Sequence, residues 1–244
     1  MNLNKLLLTK NDCYKTGEKI TVKGIMVHST GAINPWLKRY LPDDGKIGNN
    51  QYGNHWNTAR PGGRKVCVHA FIGKLADGTV ATYQTLPWNH RGWHAGGCAN
   101  NTYIGFEICE DGLADRNYFN AVYKEAVELC AYLCKEYGLT EKNIICHSEG
   151  HKKGIASNHG DVMHWFPKHG KSMDTFRADV KKLLSSASAP ILSKELTTVN
   201  DIVWELAHRG IITDKQLWLK KLETDTNSYW LARKTVKYLR EKGV

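Results

Sequence analysis

"VKGIMVHST", Val22 to Thr30, is the stretch on which the fold turns. Ile25, Met26 and Val27 form a short unbroken apolar run bounded by a glycine and a histidine, which reads as a strand closing on His28. "NIICHS" (Asn143 to Ser148) repeats the pattern and closes on His147. "YIGFEICED" (Tyr103 to Asp111) reads as another buried strand, and "KVCVHAFIG" (Lys65 to Gly73) and "TVATYQTL" (Thr79 to Leu86) as a strand pair around the turn "ADG". Phe119, Val122, Ala126, Leu129 and Leu133 step by three and four, so a long helix is expected there, ending at Gly138. Ser172 can cap a further helix carrying Phe176, Val180 and Leu183. Strands alternating with helices give an α/β class, a central mixed β-sheet flanked by helices.

"SSASAPILSKE" (Ser185 to Glu195) is small, polar and broken by Pro190, as a linker would be. It divides the chain into a large domain (1–184), a linker (185–196) and a small C-terminal all-helical domain (197–244). In that last part Thr198 can cap a first helix ending at Gly210. Asp214 starts a second, and Asn227 starts a third that ends at Gly243. No internal repeat is visible.

Hydrophobic residues make up 41% of the 244 residues, enough for a real core. No stretch approaches the ~18 uncharged apolar residues of a membrane span. "MNLNKLLLTKNDCY" has only a short apolar run and no small-residue cleavage site, so synthesis in the cytoplasm without a signal peptide is expected. Seven scattered cysteines without a C-x-x-C pair argue against a cysteine-only zinc site. The formal charge of +10 predicts attraction to a polyanion. Nucleic acid, an anionic membrane and an anionic cell wall all qualify, and the charge alone does not choose among them, although Lys and Arg are spread rather than clustered, which weakens the nucleic-acid reading.

"ICHSEGHKKGIASNHGDVMHWF" (Ile145 to Phe166) packs four histidines and an aspartate into 22 residues that read as a loop. A hydrolytic zinc site takes three protein ligands and leaves one position open. Strand ends suit such ligands, since the sheet fixes them and the loops leave room for substrate. His28 and His147 stand at equivalent strand ends, and Asp161 can fold back as a third ligand. By spacing alone His151, His159, His164 and His169 compete with it. His69, alternating with apolar neighbours, is expected to be a satisfied interior histidine. "NHWNTARPGG" (Asn54 to Gly63) is taken as a surface loop.

Four pieces, "GIMVHST", "NHRGWHAGG", "YIGFEICED" and "ICHSEG…NHGDVMHWF", in this order over about residues 20 to 185, resemble the zinc-dependent N-acetylmuramoyl-L-alanine amidases of the amidase-2 type. These share a fold with peptidoglycan recognition proteins, and the likeness is greatest to phage and prophage endolysins of Gram-positive bacteria. The resemblance implies Zn²⁺ held by His28, His147 and Asp161, with Glu107 as the catalytic carboxylate. Val162 stands where the family often has proline after the third ligand. His159 stands where many relatives have a lysine, and it inherits the role of oxyanion partner, with third ligand as the alternative. Glu107 would take a proton from the attacking water and pass it to the leaving amine. Trp93, His94 and Asn101 would line a substrate groove.

The function implied is cleavage of the bond between the lactyl group of N-acetylmuramic acid and L-alanine in peptidoglycan, at the wall after release from the cell. A non-catalytic peptidoglycan-binding protein on the same scaffold and a cytosolic muropeptide-recycling amidase are the rivals. The C-terminal helices carry Trp204, Trp218 and Trp230, with ten basic against seven acidic residues from Pro190 on. Wall attachment, with self-association as the alternative, is expected of them. No nucleic-acid partner and no membrane insertion are expected.

Overall fold

The computed structural model describes residues 1–188 and 198–242. By its contacts the chain divides into two compact units, Met1–Ser185 and Ser186–Val244.

The first unit is built on six strands: β1 (Leu3–Lys5), β2 (Gly24–Ser29), β3 (Ala70–Lys74), β4 (Val80–Gln84), β5 (Tyr103–Ile108) and β6 (Ile144–Cys146). Their order is β1-β4-β3-β5-β2-β6. The β3–β4 hairpin is antiparallel and every other pairing is parallel, so the sheet is mixed, as the sequence pattern requires. Alternation along the central strands sorts the side chains by face. Ile25, Val27, Ile104, Phe106 and Ile108 belong to the main core with Phe119, Val122, Ala126, Leu129 and Leu133 of the helix Arg116–Tyr137. That helix is the second of the chain (α2). It starts under the Asp115 side chain, which accepts from Asn117 N and Tyr118 N, and stops before Gly138. A later helix, Met173–Ser188, adds Phe176 and Val180 to the same core. Phe71 and Val68 belong instead to a second cluster with Leu37, Tyr40 and Leu41.

Several local expectations need correction. The strand read over Lys65–Gly73 keeps only its second half, because Cys67 leaves the sheet and pairs with Trp93 in an antiparallel bridge. The short strand β1 and a first helix, α1 (Asp12–Thr16), had no strong pattern and were missed. His147 opens a helix, α3 (His147–Lys152), rather than a loop. Glu149 starts that helix by accepting from Cys146 N, 3.0 Å away, and Arg177 holds the same carboxylate through both oxygens. The helix Met173–Ser188 (α4) runs past residue 184 into the segment read as linker. Residues 189–197 of that linker, and Gly243, lie outside the described residues.

The second unit holds three helices, α5 (Val199–His208), α6 (Lys215–Thr224) and α7 (Thr226–Lys242). Thr198 caps α5 by accepting from Asp201 N, and Asp214 caps α6 by accepting from Leu217 N. Asp225, two residues before the expected start, takes the N–H groups of Asn227 and Ser228 at the head of α7. Ile202, Val203, Leu206, Ile212, Leu222, Ala232 and Val236 form the unit's own small core.

Candidate metal centre

Three neighbouring strands set the site. β2 lies between β5 and β6, His28 pairs with Glu107 in register, and Val27 pairs with Cys146, one residue before His147. His28 and Glu107 therefore share a sheet face, the one turned away from α2. Asp161 arrives from the chain beyond α3, in a 3₁₀ turn spanning Asp161–His164. Fully buried Val162, Trp165 and Phe166 pin this turn to the main core. Asp161 itself sits at φ 43°, a left-handed conformation that Asp tolerates better than most residues.

The three side chains converge. Asp161 Oδ2 lies 3.1 Å from His28 Nδ1 and 3.0 Å from His147 Nδ1, and the two ring nitrogens lie 3.2 Å apart. A tetrahedral zinc ion with bonds of about 2.0–2.1 Å spaces its ligand atoms about 3.3–3.4 Å apart, so this triangle is close to the size required. Two imidazole lone pairs and a carboxylate facing one another need a cation between them. The opposite ring nitrogens are committed as donors. His28 Nε2 donates to His94 Nδ1 at 2.9 Å, and His94 Nε2 donates to the Tyr103 carbonyl at 3.1 Å. His147 Nε2 donates to the Ser157 hydroxyl at 3.1 Å, which donates to the Ala95 carbonyl at 3.2 Å. Each relay ends on a backbone acceptor, fixing the tautomer that leaves both Nδ1 atoms free to bind metal. The donor set and its spacing fit Zn²⁺.

Electrostatics agree with this reading. Burial raises the Asp161 carboxyl, but the closeness of the His147 and His28 imidazoles outweighs it and holds the group below the usual carboxylate range. Burial holds the imidazoles of His28 and His94 below their ordinary value, so both are neutral near pH 7. Burial, then the charges of Asp161 and Glu110, push Glu107 well above the usual range. Its Oε2 is buried without a hydrogen-bond partner, while the residue lines the same cavity as the triad. Among described residues, this cavity has a volume of about 1030 Å³.

The other residues named from sequence fall as follows. Exposed His159 lines the cavity, its Nδ1 3.0 Å from the Ser157 hydroxyl and its ring centroid 4.6 Å from that of His147. Trp93 lines the cavity and is 38% exposed. His94 lines the cavity as expected and also backs His28, with both its ring nitrogens engaged. Gly105 makes room for it, since a Cβ there would lie 2.4 Å from His94 Nδ1. Asn101 is not among the lining residues and instead accepts from Arg91 Nε at 2.7 Å. Its neighbour Asn100 is the buried one, accepting from His94 N and Ala95 N.

The competing histidines have other partners. His164 Nε2 lies 2.9 Å from Glu110 Oε2, His169 stacks on Phe119, and His151 reaches the Ala156 carbonyl. His69 is an interior histidine, its Nε2 2.7 Å from the His90 carbonyl, and burial lowers it to about 4. The segment read as a surface loop contributes Asn54, Trp56, Pro61 and Gly62 to the cavity wall. Nothing local in the sequence marked these, or Tyr40, Arg64, Lys65 and Arg91, as lining residues.

A family model described as N-acetylmuramoyl-L-alanine amidase (Amidase_2) matches residues 18–164. The N-acetylmuramoyl-L-alanine amidase XlyA of Bacillus subtilis (strain 168) is 40% identical over 104 residues, 37% of this chain and 34% of that protein. The match thus spans about a third of that relative's length. Among solved structures, the catalytic domain of XlyA superposes with a TM-score of 0.51 at 22% identity, covering 74% of this chain and 99% of that one. The Staphylococcus aureus hydrolase AmiA, solved in complex with its ligand, gives 0.54 at 17% identity, covering 77% and 84%. These likenesses establish a shared fold, and the family match extends over more than half of the sequence. The chain belongs to the amidase-2 family of N-acetylmuramoyl-L-alanine amidases.

Proposed function

We propose that this protein is a zinc-dependent peptidoglycan hydrolase that cuts the amide between the lactyl group of N-acetylmuramic acid and L-alanine. The observation that carries this reading is the His28–His147–Asp161 triangle in one cavity with Glu107, whose buried Oε2 has no hydrogen-bond partner among the described residues. Zinc supplies a Lewis acid for the scissile carbonyl and lowers the pKa of a bound water toward neutrality. Glu107, in register with His28, takes the proton of the attacking water. His159, exposed on the cavity wall beside His147, donates to the developing oxyanion. Trp93 offers an aromatic face to the substrate.

The biological role is that of an endolysin or autolysin that reaches the wall after release. No described helix is long and apolar enough to cross a membrane. The C-terminal helices serve as a wall-attachment module. Leu217, Trp230 and Leu231 are exposed there, and Lys221 and Arg233 lie over the rings of Trp218 and Trp230. Cationic and aromatic groups together suit an anionic glycan surface.

The test is hydrolysis of purified cell walls by wild type, His28→Ala and Glu107→Ala, with metal content measured for each. New amino groups must appear with wild type and fail with both variants, while Glu107→Ala keeps its zinc. Reducing ends in place of amines would mean a glycosidase. For the tail, truncation at residue 190 leaves soluble-fragment hydrolysis intact and weakens pelleting with walls. Unchanged pelleting rejects attachment, and a change in oligomeric state points to self-association.

A further inference from the structure

Away from the ligand triangle the cavity wall is cationic. Arg39, Arg64, Lys65 and Arg91 line it, and among described residues only Arg91 has an acidic partner, Glu18 at 3.6 Å. Two of these charges share one aromatic ring, with Lys65 Nζ 4.7 Å and Arg91 Cζ 5.3 Å from the Trp93 centroid. The arrangement is held by backbone. Cys67 N donates to Trp93 O at 3.2 Å and Trp93 N to Cys67 O at 2.9 Å, so the segments bearing Lys65 and Arg91 run side by side. Gly62 and Gly63, at φ 58° and 77°, turn the chain into this pairing. The Arg91 guanidinium is anchored by Asn101 and its backbone N–H by the Glu18 carbonyl. Two cations are thus fixed against a flat apolar face in the same cavity as the hydrolytic centre.

The charge of the substrate says what such a face receives. This step rests on the amidase reading. In the scissile bond the carboxyl of the sugar acid is consumed in the amide, and the N-acetyl group removes the amine charge, so the sugar side is neutral. The stem peptide carries the free carboxylates. We propose that Lys65 and Arg91, with Arg64 beside them, form a subsite for a stem-peptide carboxylate, with Trp93 as its floor. The enzyme accordingly prefers stems with free acids over amidated ones. Charge-assisted hydrogen bonds to carboxylate are about twice as strong as neutral ones, and a carboxamide replaces one such contact with a weaker one.

The experiment uses the full zinc-loaded chain and three N-acetylmuramoyl tripeptides. The first has D-glutamate and diaminopimelate carboxylates free. The second has the D-glutamate α-carboxylate as its amide, and the third has both diaminopimelate carboxylates as amides. Wild type is expected to lose about tenfold in kcat/KM on one amidated substrate, which identifies the stem residue whose carboxylate is recognised. Lys65→Ala/Arg91→Ala is expected to erase that preference, and added salt to narrow it in wild type. Equal kcat/KM on all three substrates with wild type overturns the subsite and leaves the amidase reading standing. A parallel loss on all three in the double variant, with the preference retained, also overturns it. No hydrolysis of any substrate by wild type fails the amidase reading, and the subsite with it.

Discussion

His94→Ala should loosen the metal although His94 is not a ligand. In the folded protein the ring accepts the His28 Nε2 proton at 2.9 Å and passes the relay to the Tyr103 carbonyl. Truncation leaves the N–H of a fully buried histidine without an acceptor. An unsatisfied buried donor costs about 1–3 kcal/mol, and each ~1.4 kcal/mol is tenfold in an equilibrium constant. The zinc dissociation constant is therefore expected to rise by about ten- to a hundredfold, in line with the usual effect of removing a histidine's supporting partner. Water entering the vacated space would bring the cost to the lower end. The assay is competition for zinc against a chromogenic chelator at pH 7.5, with wild type and Trp93→Ala in parallel. Trp93 lies one residue away on the same segment but hydrogen bonds to Cys67, so its removal should leave zinc affinity unchanged. A His94→Ala affinity within twofold of wild type would refute the relay as a support for His28.

Other outcomes follow from the same geometry. Gly105→Ala drives a methyl into the His94 ring, with contacts of 2.4–2.6 Å, and should cost about 1–3 kcal/mol of stability and weaken zinc binding as His94→Ala does. A normal melting temperature with normal zinc affinity would show that the ring has room to move. Glu107→Gln should keep zinc, lose most of its kcat, and change the pH dependence of the metal-free protein. Because the folded carboxyl titrates above its unfolded value, the folded state binds more protons, so wild type loses stability as pH rises from the ordinary carboxylate range toward the raised value. The variant lacks this penalty, so its advantage in melting temperature must grow with pH over that window, and a constant difference would contradict the burial argument. His159→Ala is expected to lower kcat by about ten- to a hundredfold with zinc content unchanged. A loss of bound zinc instead would make His159 a ligand.

The sheet was legible because its central strands are unbroken apolar runs whose ends carry chemistry. "GIMVHST" and "NIICHS" each close on a histidine, and parallel pairing of β2 with β6 turns that shared position into proximity. α2 was legible from its apolar spacing and from Gly138. β1 was not, since Leu3–Lys5 is an edge strand of three residues whose neighbours in the sheet are some eighty positions away. α3 was hidden because polar residues fill it, and its start depends on Glu149, held in turn by Arg177.

Local order along the chain thus determined the α/β class, the long helix and the pair of strand-end histidines. These depend on periodicity and on residues that neighbour one another in sequence. Only the tertiary structure decided which acid meets the histidines, that His94 hydrogen bonds to His28, and that Lys65 and Arg91 share one indole. Asp161 lies 133 residues from His28, and His94 lies 66. Contacts over such separations are made by strand order and by the burial of Val162, Trp165 and Phe166, which no short window of sequence contains.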